Sequence, residues 1–312
     1  MMSKSLLDGL KATLRLKRLV IIFYLANLFA ALIVMFPLRS MLGDFAGYTL
    51  MGRSLAGGLS TDFLFEFFTN NSGGVKFLGG LIGIVSVLYW IAALFLSGGA
   101  FSVYISGERF SVGMFWSNSA KYFGRFARLW LFSIPVFFIV YCFQFIVPLF
   151  VRLMYGSDPY QYVTFWAGVI RVGLGYLGIV FYYMVLDYAR IYVVRYDEHS
   201  MFRVLLKSIS FCFKNFFRTF SLALLLFIVS IVSLILYRWV SGFLSGSSAG
   251  IIFLLIMFEQ LYIMFRSFMK LTLFAGQVEL FRNIIPPEPV LQPSEPENPG
   301  LEGTSHEIGI TA

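Results

Sequence analysis

Charged residues are scarce in this sequence of 312 residues. Asp, Glu, Lys and Arg make up 13% of the chain, whereas hydrophobic residues make up 59% and aromatic residues 19%. An ordinary soluble domain carries about 25% charged residues. A soluble fold of this size would leave much of this apolar surface in water. The composition therefore excludes an ordinary soluble protein and indicates a chain that lies largely in lipid.

Cysteine and histidine are also scarce, with two residues of each type. Cys142 and Cys212 lie in or beside apolar segments without CxxC spacing, so they indicate neither a disulfide framework nor a thiolate metal site. His199 and His306 are too few for an imidazole-based metal or acid–base site. No nucleotide-binding, metalloprotease or serine-hydrolase motif occurs in a supporting context. We therefore expect no metal, no cofactor and no enzymatic activity.

Apolar runs of about 20 residues, the length that crosses a bilayer, occur six times in the chain. They cover residues 19–36, 77–103, 129–151, 166–186, 219–237 and 251–273. They predict an all-α membrane bundle of six transmembrane helices, in one domain from residue 1 to 285. The first run follows several basic residues but lacks a small-x-small cleavage site, which indicates an uncleaved span. Residues 62–68 (DFLFEFF) predict a short interfacial helix between the first two spans.

The basic residues are biased to one side of these spans. All but six of the 24 Lys and Arg residues fall on the side that holds both termini. The exceptions are Arg39, Arg53, Lys76, Arg152, Arg171 and Arg238. Because basic loops stay in the cytoplasm, we expect both termini to be cytoplasmic. The protein is then a multi-pass protein of the bacterial cytoplasmic (inner) membrane.

Self-comparison at an offset of 90 residues aligns two segments that each precede a span. Residues 111–130 lie over 201–220, so that Phe123 meets Phe213 and Arg128 meets Arg218. Each segment predicts an amphipathic helix in the headgroup region. The apolar faces are Val112, Phe115, Trp116, Phe123 and Phe126 in the first copy, and Phe202, Leu205, Leu206, Ile209, Phe213 and Phe216 in the second.

A weaker third copy begins the chain, because residues 6–19 place Leu7, Leu10 and Leu14 on one stripe before a span. The inferred unit is a surface helix, an outward span and a return span, used three times. Chance similarity between Phe-rich segments is the alternative.

Basic residues of the two main surface helices are the candidate contacts for anionic lipid headgroups. They are Lys121, Arg125, Arg128, Arg203, Lys207, Lys214 and Arg218. The net charge is +8, but the basic residues lie beside the apolar runs and do not form a soluble basic domain. Nucleic acid is therefore not an expected partner. The sequence indicates no protein partner.

Charges within the spans form two further candidate groups, since a charge at mid-bilayer costs at least about 2.5 kcal/mol. Arg171, Glu259 and Gln260 make up the first, and Arg171 and Glu259 lie at comparable depth in the fourth and sixth runs. A structural ion pair and a transport or proton-relay site are the two alternatives. Asp187, Arg190 and Arg266 make up the second group, at the inner interface. Asp187 and Arg190 share a helical face, and Arg266 is a competing partner for Asp187.

After residue 285 the composition changes to Pro, Glu, Gly and Ser. Residues 286–312 predict a disordered cytoplasmic tail.

The repeated basic helix and span, together with the string DYARI at residues 187–191, resemble six-span bacterial proteins related to the membrane domain of glycerophosphodiester phosphodiesterases. The resemblance covers residues 1–285 and implies architecture only, because it brings no catalytic residues.

Three functional hypotheses follow. The first is a non-enzymatic protein that organises lipid or assembles partners at the cytoplasmic leaflet. The second is a transporter or lipid-moving protein with a site around Glu259 and Arg171. A membrane enzyme is third, because intramembrane acid and base candidates are few.

Overall fold

The computed structural model describes residues 2–48, 61–156, 158–244 and 248–286, and the regular secondary structure of these residues is entirely helical. The helices are α1 (Met2–Arg15), α2 (Lys17–Tyr48), α3 (Thr61–Asn70), α4 (Ser72–Ser106), α5 (Val112–Cys142), α6 (Ile146–Tyr155), α7 (Gln161–Tyr196), α8 (Met201–Lys214), α9 (Phe216–Phe243) and α10 (Ala249–Ile284). The predicted all-α class is confirmed.

Six helical stretches are long and apolar enough to cross a membrane. They are Lys17–Phe45, Ser72–Ser106, Val112–Tyr155, Gln161–Tyr196, Phe216–Phe243 and Ala249–Ile284. Each predicted apolar run lies inside one of them, so a multi-pass integral membrane protein is confirmed. The helices exceed the runs in length: α7 has 36 residues, about 54 Å at 1.5 Å per residue, against a hydrocarbon core of about 30 Å. The longest helices therefore project beyond the hydrocarbon.

The third stretch is interrupted by a 3₁₀ turn, Phe143–Phe145, which separates α5 from α6. Pro148 explains the position of this turn. Its nitrogen has no hydrogen to donate to the carbonyl of Gln144, and its ring clashes with that carbonyl in a regular α-helix. Pro135 lies inside α5 without ending it.

Burial is concentrated at one end of the bundle, which we call the packed end. It contains residues 94–104 of α4, 180–193 of α7 and 267–281 of α10, together with one face each of α1, α5 and α8. In the opposite half, large apolar side chains such as Phe29, Ile84 and Phe253 are exposed. Lipid tails are as apolar as these side chains, so a lipid environment does not penalise their exposure.

Both ends of the described chain lie at the packed end. The Nδ2 atom of Asn283, near the end of α10, donates a hydrogen bond of 3.1 Å to Oγ of Ser5 in α1. The first and last described helices therefore meet at the same end of the bundle, and the cytoplasmic position of the termini stays a prediction.

Two of the surface helices pack against the return span that precedes them. Where α5 begins, a Cβ atom built on Gly99 of α4 would lie 2.4 Å from Oγ of Ser119. Where α8 runs along α7, Oγ of Ser208 donates a hydrogen bond of 2.7 Å to the carbonyl of Val185. Small residues at both contacts allow the backbones to approach closely.

The first surface helix, α1, packs against the last return span, α10. A Cβ atom built on Gly9 would lie 2.6 Å from the backbone nitrogen of Gly276, so the two helices are nearly in backbone contact. With α4 against α5 and α7 against α8, this contact closes a ring of three equivalent pairs. A ring of this kind supports three repeats of surface helix, outward span and return span.

The offset of 90 residues also relates buried positions. Within residues 111–135 and their counterparts 201–225, four pairs of aligned residues are buried in both copies: Phe115 and Leu205, Tyr122 and Cys212, Leu129 and Thr219, and Ser133 and Ala223. Aligned sites are thus filled by side chains of different size and polarity. Shared burial of dissimilar residues favours a structural repeat over chance similarity between Phe-rich segments.

The predicted apolar faces of the surface helices are divided between protein and surroundings. In α5, Phe115 is buried, whereas Trp116 is exposed. In α8, Leu205 is buried, whereas Phe202 and Leu206 are exposed. Each apolar face thus meets the protein core along one part and the surroundings along another. The helical periodicity of apolar residues predicts which face of a helix is apolar. It does not predict whether that face packs against protein or against lipid.

Residues 62–68 form part of α3, as predicted. Phe63 and Phe67 of this helix pack against Phe45 of α2, with ring centres 5.6 and 5.5 Å from that of Phe45. The predicted tail, apart from Pro286, lies outside the described residues.

Candidate functional site

The interior of the packed end contains a buried ion pair. Asp187 and Arg190 lie three residues apart on α7, and Nη1 of Arg190 is 2.8 Å from Oδ1 of Asp187. Asp187 is only 4% exposed. The Arg190 guanidinium also lies over the Phe126 ring of α5, 5.7 Å from its centre. The pairing predicted from helical spacing is present within α7, where a buried carboxylate needs a partner. The contact of Arg190 with Phe126 links α7 to α5.

The second cation near Asp187 is Lys270, whereas Arg266 was the expected one. Lys270 interacts electrostatically with Asp187, and its Nζ lies 5.7 Å from the centre of the Phe23 ring. Arg266 is exposed and makes no ion pair with any described residue. Lys270 lies one helical turn closer to the packed end than Arg266, and for this reason Lys270 and not Arg266 is near Asp187.

Gln277 of α10 adds a buried amide that faces Asp187. Neither of its polar atoms makes a hydrogen bond within the described part of the chain. Sequence reasoning missed both Lys270 and Gln277. A signal existed for Lys270, because it follows Arg266 by four residues and so shares its helical face.

The structure does not bring Arg171 and Glu259 together. The Arg171 guanidinium lies over Phe145, 5.0 Å from the ring centre, and Glu259 is exposed. Gln260 accepts a hydrogen bond of 2.9 Å from the Tyr24 hydroxyl, which ties α10 to α2. The predicted ion pair is therefore absent from the described residues. Equal depth of two residues in the membrane does not determine whether they meet. The orientation of each helix about its own axis decides which of its faces points at the neighbouring helix.

An acidic loop, Asp197 and Glu198, joins α7 to α8 and pairs with three of the seven predicted lipid contacts. Oδ1 of Asp197 lies 3.2 Å from Nζ of Lys121 and 2.7 Å from Nη1 of Arg125. Glu198 pairs with Lys207. The Arg125 hydrogen bond, reinforced by the Lys121 ammonium, lowers the pKa of Asp197 below its usual value. The acid is therefore charged at neutral pH, and the loop connects α5 to α8.

Sequence reasoning missed this acidic loop. Its signal was the position of two adjacent acids between two basic helices.

The remaining four predicted lipid contacts are exposed and make no ion pair with any described residue. They are Arg128, Arg203, Lys214 and Arg218. Nε of Arg128 donates to the carbonyl of Gly124 in its own helix at 3.2 Å, and Nε of Arg203 donates to Oγ of Ser200 at 3.2 Å. Their positive charge is available to an external anion.

Large apolar side chains are exposed beside these cations. Phe202, Leu206 and Phe213 of α8 are 56%, 50% and 63% exposed, and Phe217 at the start of α9 is 84% exposed. Cys212 faces the core instead, where burial raises the pKa of its thiol to about 12. A row of apolar side chains flanked by cations is typical of helices that lie in a membrane interface.

Comparison with protein-family models, curated proteins and solved structures finds no match to this chain. The resemblance to the membrane domain of glycerophosphodiester phosphodiesterases therefore stays a prediction.

Proposed function

We propose that this chain is a non-enzymatic protein of the bacterial cytoplasmic membrane that binds anionic lipid at the cytoplasmic leaflet and organises that leaflet or assembles partners on it. One observation carries the proposal. Unpaired cations of α5, α8 and α9 lie beside an exposed row of large apolar side chains at the packed end. Cations attract anionic headgroups, and the apolar row enters the acyl boundary.

The charge distribution supports a cytoplasmic position for the packed end. Most of the basic residues belong to this end, and only six of the 24 lie elsewhere by sequence position. An excess of Lys and Arg is typical of cytoplasmic segments. The inner leaflet also carries the anionic lipid that these cations would bind.

The buried charges support a non-catalytic role. Asp187 is held by Arg190 inside the core, which is the environment of a structural carboxylate rather than of a solvent-accessible acid or base. Arg171 contacts an aromatic ring instead of Glu259, and neither residue lines the cavity beside Arg15 and Arg109 or the one beside Arg195. These placements favour the leaflet hypothesis over transport at this position.

The test measures lipid enrichment around the full chain reconstituted in nanodiscs of mixed phosphatidylglycerol and phosphatidylcholine. We expect the wild type to enrich phosphatidylglycerol over the bulk ratio, with an enrichment that falls as salt rises. The variant R128Q/R203Q/K214Q/R218Q removes the four unpaired cations. It should lose most of the enrichment.

The matched control is R39Q/K76Q/R152Q/R238Q. It removes four exposed cations whose sequence positions assign them to the opposite side of the membrane. It should retain the enrichment of the wild type. If both variants lost the same amount, net charge rather than the packed-end surface would be responsible, and the proposal would fail.

A further inference from the structure

A cavity of about 610 Å³ opens at the packed end where three chain segments meet. The junction of α1 and α2 contributes Arg15, Lys17 and Arg18, and the turn after α4 contributes Arg109. The end of α10 forms the third wall. This volume lies in the range of small-molecule sites, about 300–1,000 Å³, and the site is separate from the cations of α5, α8 and α9 discussed above.

The four cations at the mouth of this cavity have no ion-pair partner among the described residues. They are Arg15, Lys17, Arg18 and Arg109, and all four are exposed. The cavity lining also contains the acids Glu108 and Glu279, of which Glu279 pairs with Arg282. Glu108 can offset one of the four positive charges, and the remaining excess attracts an external anion. Guanidinium groups match phosphate oxygens in geometry as well as in charge.

The fifth basic residue of the cavity, Arg282, has a structural role. It pairs with Glu279 at 2.7 Å and donates hydrogen bonds to the carbonyls of Tyr104 and Ile105 at 2.9 and 2.7 Å. These bonds satisfy carbonyls at the end of α4 and join it to α10. Gly107 then ends α4 with φ of 68°, a conformation suited to glycine. Contacts of Arg282 within the protein therefore hold the ends of α4 and α10 together on this side of the cavity.

An exposed apolar ridge leads from the mouth of the cavity along the first span. Lys17 is followed at intervals of four residues by Ile21, Leu25 and Phe29, which are 49%, 52% and 68% exposed. Residues at this spacing lie on one side of a helix. The ridge provides an apolar surface for acyl chains directly beside the cations, which a free phosphate ion would not use.

From this juxtaposition we propose that the cavity is a stoichiometric binding site for the phosphate group of one anionic phospholipid. Arg15, Lys17, Arg18 and Arg109 bind the phosphate, and the acyl chains lie along Ile21, Leu25 and Phe29. The site differs from the leaflet-binding surface in holding one headgroup. Either proposal can fail without the other.

The test counts lipids bound to the detergent-purified full chain by native mass spectrometry. The probes are dioctanoyl phosphatidic acid, dioctanoyl phosphatidylcholine and inorganic phosphate. We expect one tightly bound phosphatidic acid per chain and weaker binding of phosphatidylcholine. The variant R15Q/R18Q/R109Q should weaken phosphatidic acid binding at least tenfold, whereas R39Q/R152Q/R238Q, which removes three exposed arginines assigned to the opposite side, should retain it. Unchanged elution volume and helical circular dichroism establish that each variant is folded.

Three results would overturn the proposal. The first is equal loss of binding in the two variants, which would indicate unspecific attraction. The second is displacement of phosphatidic acid by inorganic phosphate at a comparable concentration, which would assign the site to a free anion. The third is binding that appears only after removal of residues 287–312. That sequence contains five Glu and no Lys or Arg, and such a result would assign the cavity to the chain's own acidic segment.

Discussion

At the scale of single residues, the charges of the packed end belong to two environments. Asp187 and Arg190 are enclosed by protein, with side chains 5% and 12% exposed, whereas Lys207 and Glu198 pair at the surface with side chains 53% and 26% exposed. The same chemical pairing has different energetic consequences in these places. Breaking a buried pair leaves a charge without solvent, whereas breaking an exposed pair leaves two hydrated charges.

Replacing Asp187 with Asn leaves Arg190 and Lys270 without their shared carboxylate. We expect the free energy of unfolding to fall by about 3–5 kcal/mol, measured as a lower midpoint of thermal unfolding in detergent. The control Lys207→Gln breaks the exposed pair and should cost less than about 1 kcal/mol. Equal decreases of the unfolding midpoint in the two variants would show that the Asp187–Arg190 pair stabilises the fold no more than the exposed pair does.

At the scale of secondary-structure elements, the contact between α1 and α10 depends on small side chains. Ser5, Gly9 and Thr13 recur at intervals of four residues and are buried. Thr13 Oγ1 also lies 3.3 Å from the Tyr104 hydroxyl of α4. Small residues on one face allow α1 to lie close against α10, while Leu7 and Leu14 on the other side are half exposed.

Replacing Gly9 with Ala tests this close approach. The added methyl would lie 2.6 and 2.8 Å from backbone atoms of Gly276, and backbone cannot move aside as a flexible side chain can. We expect a loss of about 1–3 kcal/mol in the free energy of unfolding, measured by thermal unfolding followed by size-exclusion chromatography.

The control for this substitution is Gly124→Ala in α5, where a Cβ meets no atom within 4 Å among the described residues. Alanine is the better helix former, so this change should be neutral or stabilising by up to about 1 kcal/mol. A destabilisation of the same size in both variants would mean that the Gly9 contact does not limit the packing of α1.

At the scale of the whole molecule, three surface helices and three return spans form a closed ring at one end, whereas the opposite half exposes its apolar side chains. Protein packing is therefore concentrated where the helices leave the apolar region. This arrangement places both ends of the described chain, the acidic loop and the basic surface at the same end of the bundle.

Reporter fusions test on which side of the membrane the packed end lies. We expect fluorescent protein fused to either terminus of the full chain to fluoresce in the cytoplasm. Alkaline phosphatase inserted after Asp158, between α6 and α7, should be active, because it requires disulfides that form outside the cytoplasm. The matched insertion after His199, between α7 and α8, should be inactive. The reverse pattern of phosphatase activity would place the packed end outside the cytoplasm and contradict the proposed function.

The sequence alone determined the membrane class, the number of spans, the surface helices and the pairing of Asp187 with Arg190. These features depend on properties that are local along the chain. The length of an apolar run determines whether it crosses a bilayer, and residues three apart on one helix are neighbours whatever surrounds them.

Only the tertiary structure decided which helices meet and through which faces. It placed Lys270 beside Asp187, paired Lys121 and Arg125 with Asp197, and separated Arg171 from Glu259. It also divided the apolar faces of the surface helices between protein and surroundings. The physical reason is that depth in a membrane follows from sequence position, whereas contact between helices also requires their rotation and separation. Those are determined by side chains of several helices packing together, such as Gly9 against Gly276.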